Sequence, residues 1–207
     1  MDKSEKFWDR RSKEYEKNEE KYEQTYNKTV EITKSLLTIN DVVLDFGCGT
    51  GIITNNLAQN VKEIHAIDIS SKMIDVARRK ADERELTNII YSQSTIFDDR
   101  YKKESFKVIL AFNILHLIKD PQTGIQRIND LLKPGGLFIS ETPCLRQKRS
   151  ILSILLFLPR KIGLVPFTNF LKFSELEELL TEGDFHLIEN KKILESPPKM
   201  FIVAKKQ

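Results

Sequence analysis

Residues 43–51 read VLDFGCGTG: an apolar run ends in Asp45, and Gly47, Gly49 and Gly51 follow at every second position. Glycines there reach positive φ and leave the main chain bare, so a ligand can lie against it. The helix that begins next adds unpaired N–H donors. Asp68 closes the apolar stretch EIHAID about twenty residues further on, where a carboxylate can take the two hydroxyls of a ribose. A bare loop followed by a spaced acid is chemistry for holding a nucleoside. The dinucleotide fingerprint is G-x-G-x-x-G, whereas this loop reads G-x-G-x-G with Ile52 next, so its last glycine is out of register.

The elements that must position these residues alternate. DVVLDF, EIHAID, NIIYSQ, FKVILAF and LFISET read as strands. Helices start at GIITNNLAQ, at Ser70 or Ser71 as N-cap, and after Pro121, and KPGG reads as a turn. Strand and helix in this order imply a parallel sheet with helices on both faces. FSELEELLTEG is a further helix with Ser174 as its expected N-cap, and FHLIENKKIL and KMFIVAKK follow with only ESPP between them. So short a link joins antiparallel strands, so the sheet should end in a hairpin. Ahead of all this, residues 3–37 read as helix, with Trp8, Tyr15, Tyr22 and Tyr26 near one face. That face either docks on the domain or lies as a lid over a ligand.

Composition narrows the classes. The chain has 207 residues, enough for one domain with a full core. A net charge of +3 gives no argument for a nucleic-acid partner. The charged start MDKSEKFWDRR carries no apolar signal region, and ILSILLFL is too short to cross a bilayer, so a cytoplasmic protein is expected. Cys48 and Cys144 are then expected as two free thiols, and they cannot make a zinc or iron–sulfur site alone.

VVLDFGCGTG, AIDIS, FKVILAFNILHLIKD and LLKPGGLFISETP together resemble the class I S-adenosylmethionine-dependent methyltransferases, from about residue 40 to the C-terminus. The resemblance implies an α/β, Rossmann-like sheet of seven strands in order 3-2-1-4-5-7-6, with strand 7 antiparallel. Residues 1–39, from their helical reading, are expected as an N-terminal helical cap, and the resemblance implies a methyltransferase domain over 40–207. Asp45, Gly47, Cys48 and Gly49 would hold the methionine part of S-adenosyl-L-methionine, Asp68 the ribose, and Ile69 and Met73 the adenine. Many members place an acid against the adenine amino group after the third strand. Here YSQSTIF offers Ser94 and Thr95, so a hydroxyl or main-chain contact is expected instead.

The expected activity is metal-independent methyl transfer by direct displacement to oxygen, nitrogen or carbon of a small acceptor, a hydrophobic one included. His116 is the candidate base, since its unperturbed pKa suits proton transfer near neutrality, although a helix-starting role is open to it. Asn113 should lie beside the cofactor. Glu141 could bind a polar substrate or simply be solvated at a strand end, and Tyr15 could close over the site. The rivals are a non-catalytic S-adenosylmethionine-binding scaffold or sensor and a NAD-dependent oxidoreductase; loop register and hairpin disfavour the second. From Thr142 to Ser174 there is no acid, and basic residues alternate with SILSILLFL and GLVPFTNFL. This basic, apolar segment, 144–173, reads as packing on the sheet edge, as a substrate lid, or as a weak membrane-surface contact, and it admits a homodimer.

Overall fold

The computed structural model describes residues 3–144, 146, 167–195 and 198–207. Seven strands form one sheet in the order β3-β2-β1-β4-β5-β7-β6. They are β1 (Val42–Phe46), β2 (Glu63–Asp68), β3 (Ile89–Gln93), β4 (Phe106–Phe112), β5 (Leu132–Pro143), β6 (Phe185–Glu195) and β7 (Pro198–Lys206). The pairs from β3 to β5 are parallel, and β7 runs antiparallel to both β5 and β6. This is the order and hairpin expected.

The central strands are apolar on both faces because helices cover both. Along β4, Val108, Leu110 and Phe112 pack into one core cluster and Ile109 and Ala111 into the other, as the two-residue period of a strand requires. Asp45 interrupts this pattern at the end of β1 and is 2% exposed. The direction of the crossovers reverses between β1 and β4, which puts a crevice at the C-terminal ends of these two strands.

Among the described residues the α-helices are α1 (Lys3–Lys17), α2 (Glu19–Lys34), α3 (Ile52–Leu57), α4 (Ser71–Glu83), α5 (Pro121–Leu131) and α6 (Phe173–Glu182). Ser70 caps α4 by accepting the Met73 N–H at 3.1 Å. Asp120 caps α5 by accepting the Thr123 N–H at 3.1 Å, with Pro121 in the first turn. Three expectations are corrected. The single N-terminal helix is two, because Asn18 turns its side chain onto the Glu14 carbonyl at 2.8 Å and leaves helical geometry. Ser174 is not a cap, since α6 begins at Phe173 and the Glu175 carboxylate takes the Lys172 N–H at 2.9 Å. KPGG is part of β5 and forms an irregularity opposite Phe106–Val108. Most of the 144–173 segment, and with it its proposed role, lies outside the described residues.

Candidate active site

A cavity of about 540 Å³ lies beyond the ends of β1 and β4. The glycine loop forms its floor. Gly47 and Cys48 donate their N–H groups to the Ile67 carbonyl at 2.8 and 3.0 Å, which holds the loop against the end of β2. Gly49 has φ +55, and a Cβ built there meets no protein atom within 4 Å. The missing side chain therefore leaves open space at the loop. Gly51 has φ +77, but its reason is packing: a Cβ would stand 2.8 Å from the Tyr91 hydroxyl and 3.0 Å from the Ala77 Cβ.

Two carboxylates face this floor. Asp45 accepts the Thr54 hydroxyl at 2.6 Å. Burial pushes its pKa up to about 6, with Asp68 adding to the rise and the Thr54 bond opposing it. Asp68 takes the Gly49 N–H on one oxygen at 3.1 Å and the Ser70 N–H on the other at 2.9 Å. Burial raises it to about 6 as well, against the pull of those two bonds and with the help of Asp9. A ligand carrying positive charge would relieve both groups. A bare loop and two acids that gain from a cation fit S-adenosylmethionine, which has a sulfonium, an ammonium and a ribose. Asp45 and the loop would hold its amino-acid end and Asp68 its sugar. Burial, and then the charges of Asp68 and Asp45, raise the Cys48 thiol well above its usual range.

The remaining walls are largely apolar. Trp8 and Tyr15 come from α1 and Tyr26 from α2, while Phe97, Phe112, Ile114, Leu117 and Ile118 come from the strand ends and their loops. The periodic aromatics of the N-terminal helices thus face the cavity; the Tyr22 side chain lies outside the described residues. Phe97 is 50% exposed. Trp8, Tyr26 and Phe97 were not legible as site residues individually, although the spacing of the first two pointed to a shared face.

Of the residues expected in the site, Asp45, Gly47, Cys48, Gly49, Asp68, Ile69, Met73, Thr95, Asn113 and Tyr15 line the cavity together. Ser94, His116 and Glu141 are not among its lining residues. The Ser94 hydroxyl donates to Asp98 at 2.9 Å. His116 lies in the short turn Leu115–Leu117, its Nδ1 buried with no hydrogen-bond partner among the described residues. Burial, and then the charge of Lys199, lower its pKa to about 4, which makes it a weak base. Glu141 is 1% exposed and is held by Thr29 and Lys199, each at 2.5 Å. The expectation that His116 or Glu141 touches an acceptor is not met by the lining of this cavity.

The chain matches the family described as "Methyltransferase domain" over residues 37–164. It is 36% identical over 145 residues to a ubiquinone biosynthesis O-methyltransferase of Actinobacillus pleuropneumoniae, an alignment covering 65% of this chain and 61% of that one. It is 30% identical to the corresponding protein of Coxiella burnetii, over 71% of this chain and 64% of that one. The chain thus spans less than two thirds of the length of these relatives. A solved S-adenosylmethionine-dependent methyltransferase of Methanosarcina mazei has the same fold, with a TM-score of 0.71 at 21% identity over 84% of this chain and 96% of that one. The chain therefore belongs to the methyltransferase domain family, in the class I group that takes S-adenosylmethionine as cofactor.

Proposed function

We propose that the chain transfers a methyl group from S-adenosylmethionine to a hydroxyl oxygen of a small, ring-bearing and largely apolar acceptor. The observation that carries this reading is one cavity lined at its floor by Asp45 and Asp68 and elsewhere by Trp8, Tyr15, Tyr26, Phe97 and Phe112. Aromatic walls favour a flat apolar guest through stacked and edge-on contacts. The O-methyltransferase names of the relatives support oxygen as the accepting atom.

When bound, S-adenosylmethionine supplies a methyl group already activated by the positive sulfur. The protein's work is then alignment and exclusion of water, and alignment alone can supply on the order of 7–11 kcal/mol. Asp45 and the Gly47–Gly49 loop would hold the cofactor's amino-acid end and Asp68 its sugar. Ile114, Leu117 and Ile118 offer the acceptor an apolar wall. Tyr15 and Trp8 cover the site from α1. On this reading His116 and Glu141 act away from the reacting atoms.

Segment 144–173 belongs to the same proposal as a lid. Its support is Asn169, whose N–H donates to the His116 carbonyl and whose amide donates to the Ile118 carbonyl, each at 2.6 Å. A cytoplasmic location, a membrane-surface contact through this segment and a homodimer are its further elements. They are checked by fractionation, vesicle flotation and light scattering.

The test is a coupled assay for S-adenosylhomocysteine release with a panel of hydroxylated aromatic acceptors. Release that depends on one of them is expected. Tight binding of the nucleoside without acceptor-dependent release across the panel sinks the reading and leaves a binding scaffold.

A further inference from the structure

We propose that Tyr26 is a catalytic residue that hydrogen-bonds the acceptor's hydroxyl oxygen and turns it toward the methyl group, and that Thr29, Glu141 and Lys199 position it from behind. The proposal rests on the methyl transfer to oxygen proposed above.

Tyr26 and Asn113 both line the cavity at the end of β4, on the side away from Asp68. The Asn113 amide donates to the Tyr26 hydroxyl oxygen at 3.2 Å and lies 3.4 Å from Glu141 Oε1. The same Glu141 oxygen accepts from Lys199 Nζ at 2.5 Å, and Lys199 Nζ stands 5.4 Å from the centre of the Tyr26 ring. An amide donor on the oxygen and a cation against the ring both draw electron density from the phenol. A phenol so polarised is a stronger donor to an oxygen placed before it.

The orientation of Tyr26 has a separate cause. Thr29 sits one helical turn later on the same face of α2 and is 1% exposed. Its hydroxyl donates to Glu141 Oε2 at 2.5 Å. The Glu141 and Lys199 side chains are 2% and 12% exposed, and a buried ion pair of this kind adds little net stability of its own. What it does here is fix the rotation of α2, so that Tyr26 faces the cavity. Glu141 thereby acts through the tyrosine and not on the substrate.

In the reaction the acceptor oxygen's lone pair forms the new O–CH3 bond as the S–CH3 bond breaks. The electron pair of that bond returns to sulfur, whose positive charge disappears, and the hydroxyl proton passes to bulk solvent as the methylated product leaves the cavity. Tyr26 donates to one lone pair of the acceptor oxygen, and the other is left in line with the methyl.

The test titrates 4-nitrocatechol, a coloured phenol, into protein saturated with S-adenosylhomocysteine and follows its visible absorbance. Wild-type protein is expected to bind it with a spectral shift. Tyr26→Phe should weaken binding about tenfold, the loss of one hydrogen bond, and abolish the shift. Thr29→Val should weaken the shift partially, with S-adenosylhomocysteine affinity within about twofold of wild type in both variants. Equal binding and an equal shift in wild type and Tyr26→Phe would overturn the proposal, as would no binding of the probe to wild type. Failure of the wild type to bind S-adenosylhomocysteine sinks the underlying reading of the site instead, and this proposal with it.

Discussion

The Asp9 carboxylate oxygen Oδ1 accepts the Ser70 hydroxyl at 2.6 Å and the Lys72 N–H at 3.3 Å. A residue of α1 thereby completes the N-terminus of α4, where the helix dipole favours negative charge. Around it, Glu16 pairs with Arg79, and Gln93 donates to Glu5 at 3.0 Å; these groups are exposed and contribute little. Asp9 is thus a latch between α1, which carries Trp8 and Tyr15 over the cavity, and α4. Asp9→Ala should remove about 1 kcal/mol of docking and speed the departure of S-adenosylhomocysteine about fivefold. Trp8 is the only tryptophan of the chain and lines the cavity, so stopped-flow fluorescence reads this directly. An unchanged dissociation rate removes the latch.

Two glycines of one loop should fail in different ways. Gly49→Ala places a Cβ where no protein atom lies within 4 Å, at φ +55. Its cost to folding is the left-handed backbone alone, about 1–2 kcal/mol, while the new methyl occupies the ligand's side of the loop. Gly51→Ala meets the Tyr91 hydroxyl at 2.8 Å as well as a φ of +77, and should cost about 2–4 kcal/mol. Thermal unfolding and calorimetry with S-adenosylhomocysteine separate them: the first variant stays folded and loses binding, the second loses stability. Equal melting temperatures would count against this division.

The contrast shows what is readable before folding. Asp45, Gly49 and Asp68 were legible because their roles are local: a strand end, a loop and the next strand end are set by patterns of apolar residues and glycines. The sheet order was available from the short link between β6 and β7 and from the family resemblance. The other half of the site is non-local. Tyr26 meets Asn113 across 87 positions and Thr29 meets Glu141 across 112. Nothing within either stretch announces the meeting. His116 and Glu141 invite a chemical role by type, but neither is among the lining residues of the cavity, and which side chains line it depends on how the molecule packs.

Neither cysteine should behave as a reactive thiol. Cys48 lines the cavity, but burial and the charges of Asp68 and Asp45 disfavour its thiolate, the reactive form. Cys144 is pushed up to about 12 by burial and then by Glu175. At pH 8, iodoacetamide should modify both at least about tenfold more slowly than free cysteine. Asp45→Asn should speed Cys48 while leaving Cys144 unchanged. Mass spectrometry of the two peptides decides this, and rapid labelling of Cys48 in the wild type speaks against so anionic a floor.

The raised carboxylates also set a pH dependence whose sign differs between the free and liganded protein. The folded-state pKa of Asp45 is about 6, against 3.8 for the group outside the fold. Between those values the folded protein holds a proton that the unfolded chain has released. Stability therefore falls as pH rises through this window, and the full cost, about 3 kcal/mol for two pH units, is present above it. The free protein should melt at a higher temperature near pH 5 than near pH 7.5 as far as this group is concerned, and Asp45→Asn, which keeps an acceptor for Thr54, should reduce the difference and leave the share that Asp68 contributes. Binding runs the other way, because the ammonium of S-adenosylhomocysteine favours the ionised carboxylates. Affinity should fall about tenfold from pH 7.5 to 5.5. Near pH 6, binding should release protons, seen as a calorimetric heat that varies with the buffer's ionisation enthalpy. Affinity that is level over this range, with no buffer dependence, means that Asp45 does not face the cationic end of the nucleoside.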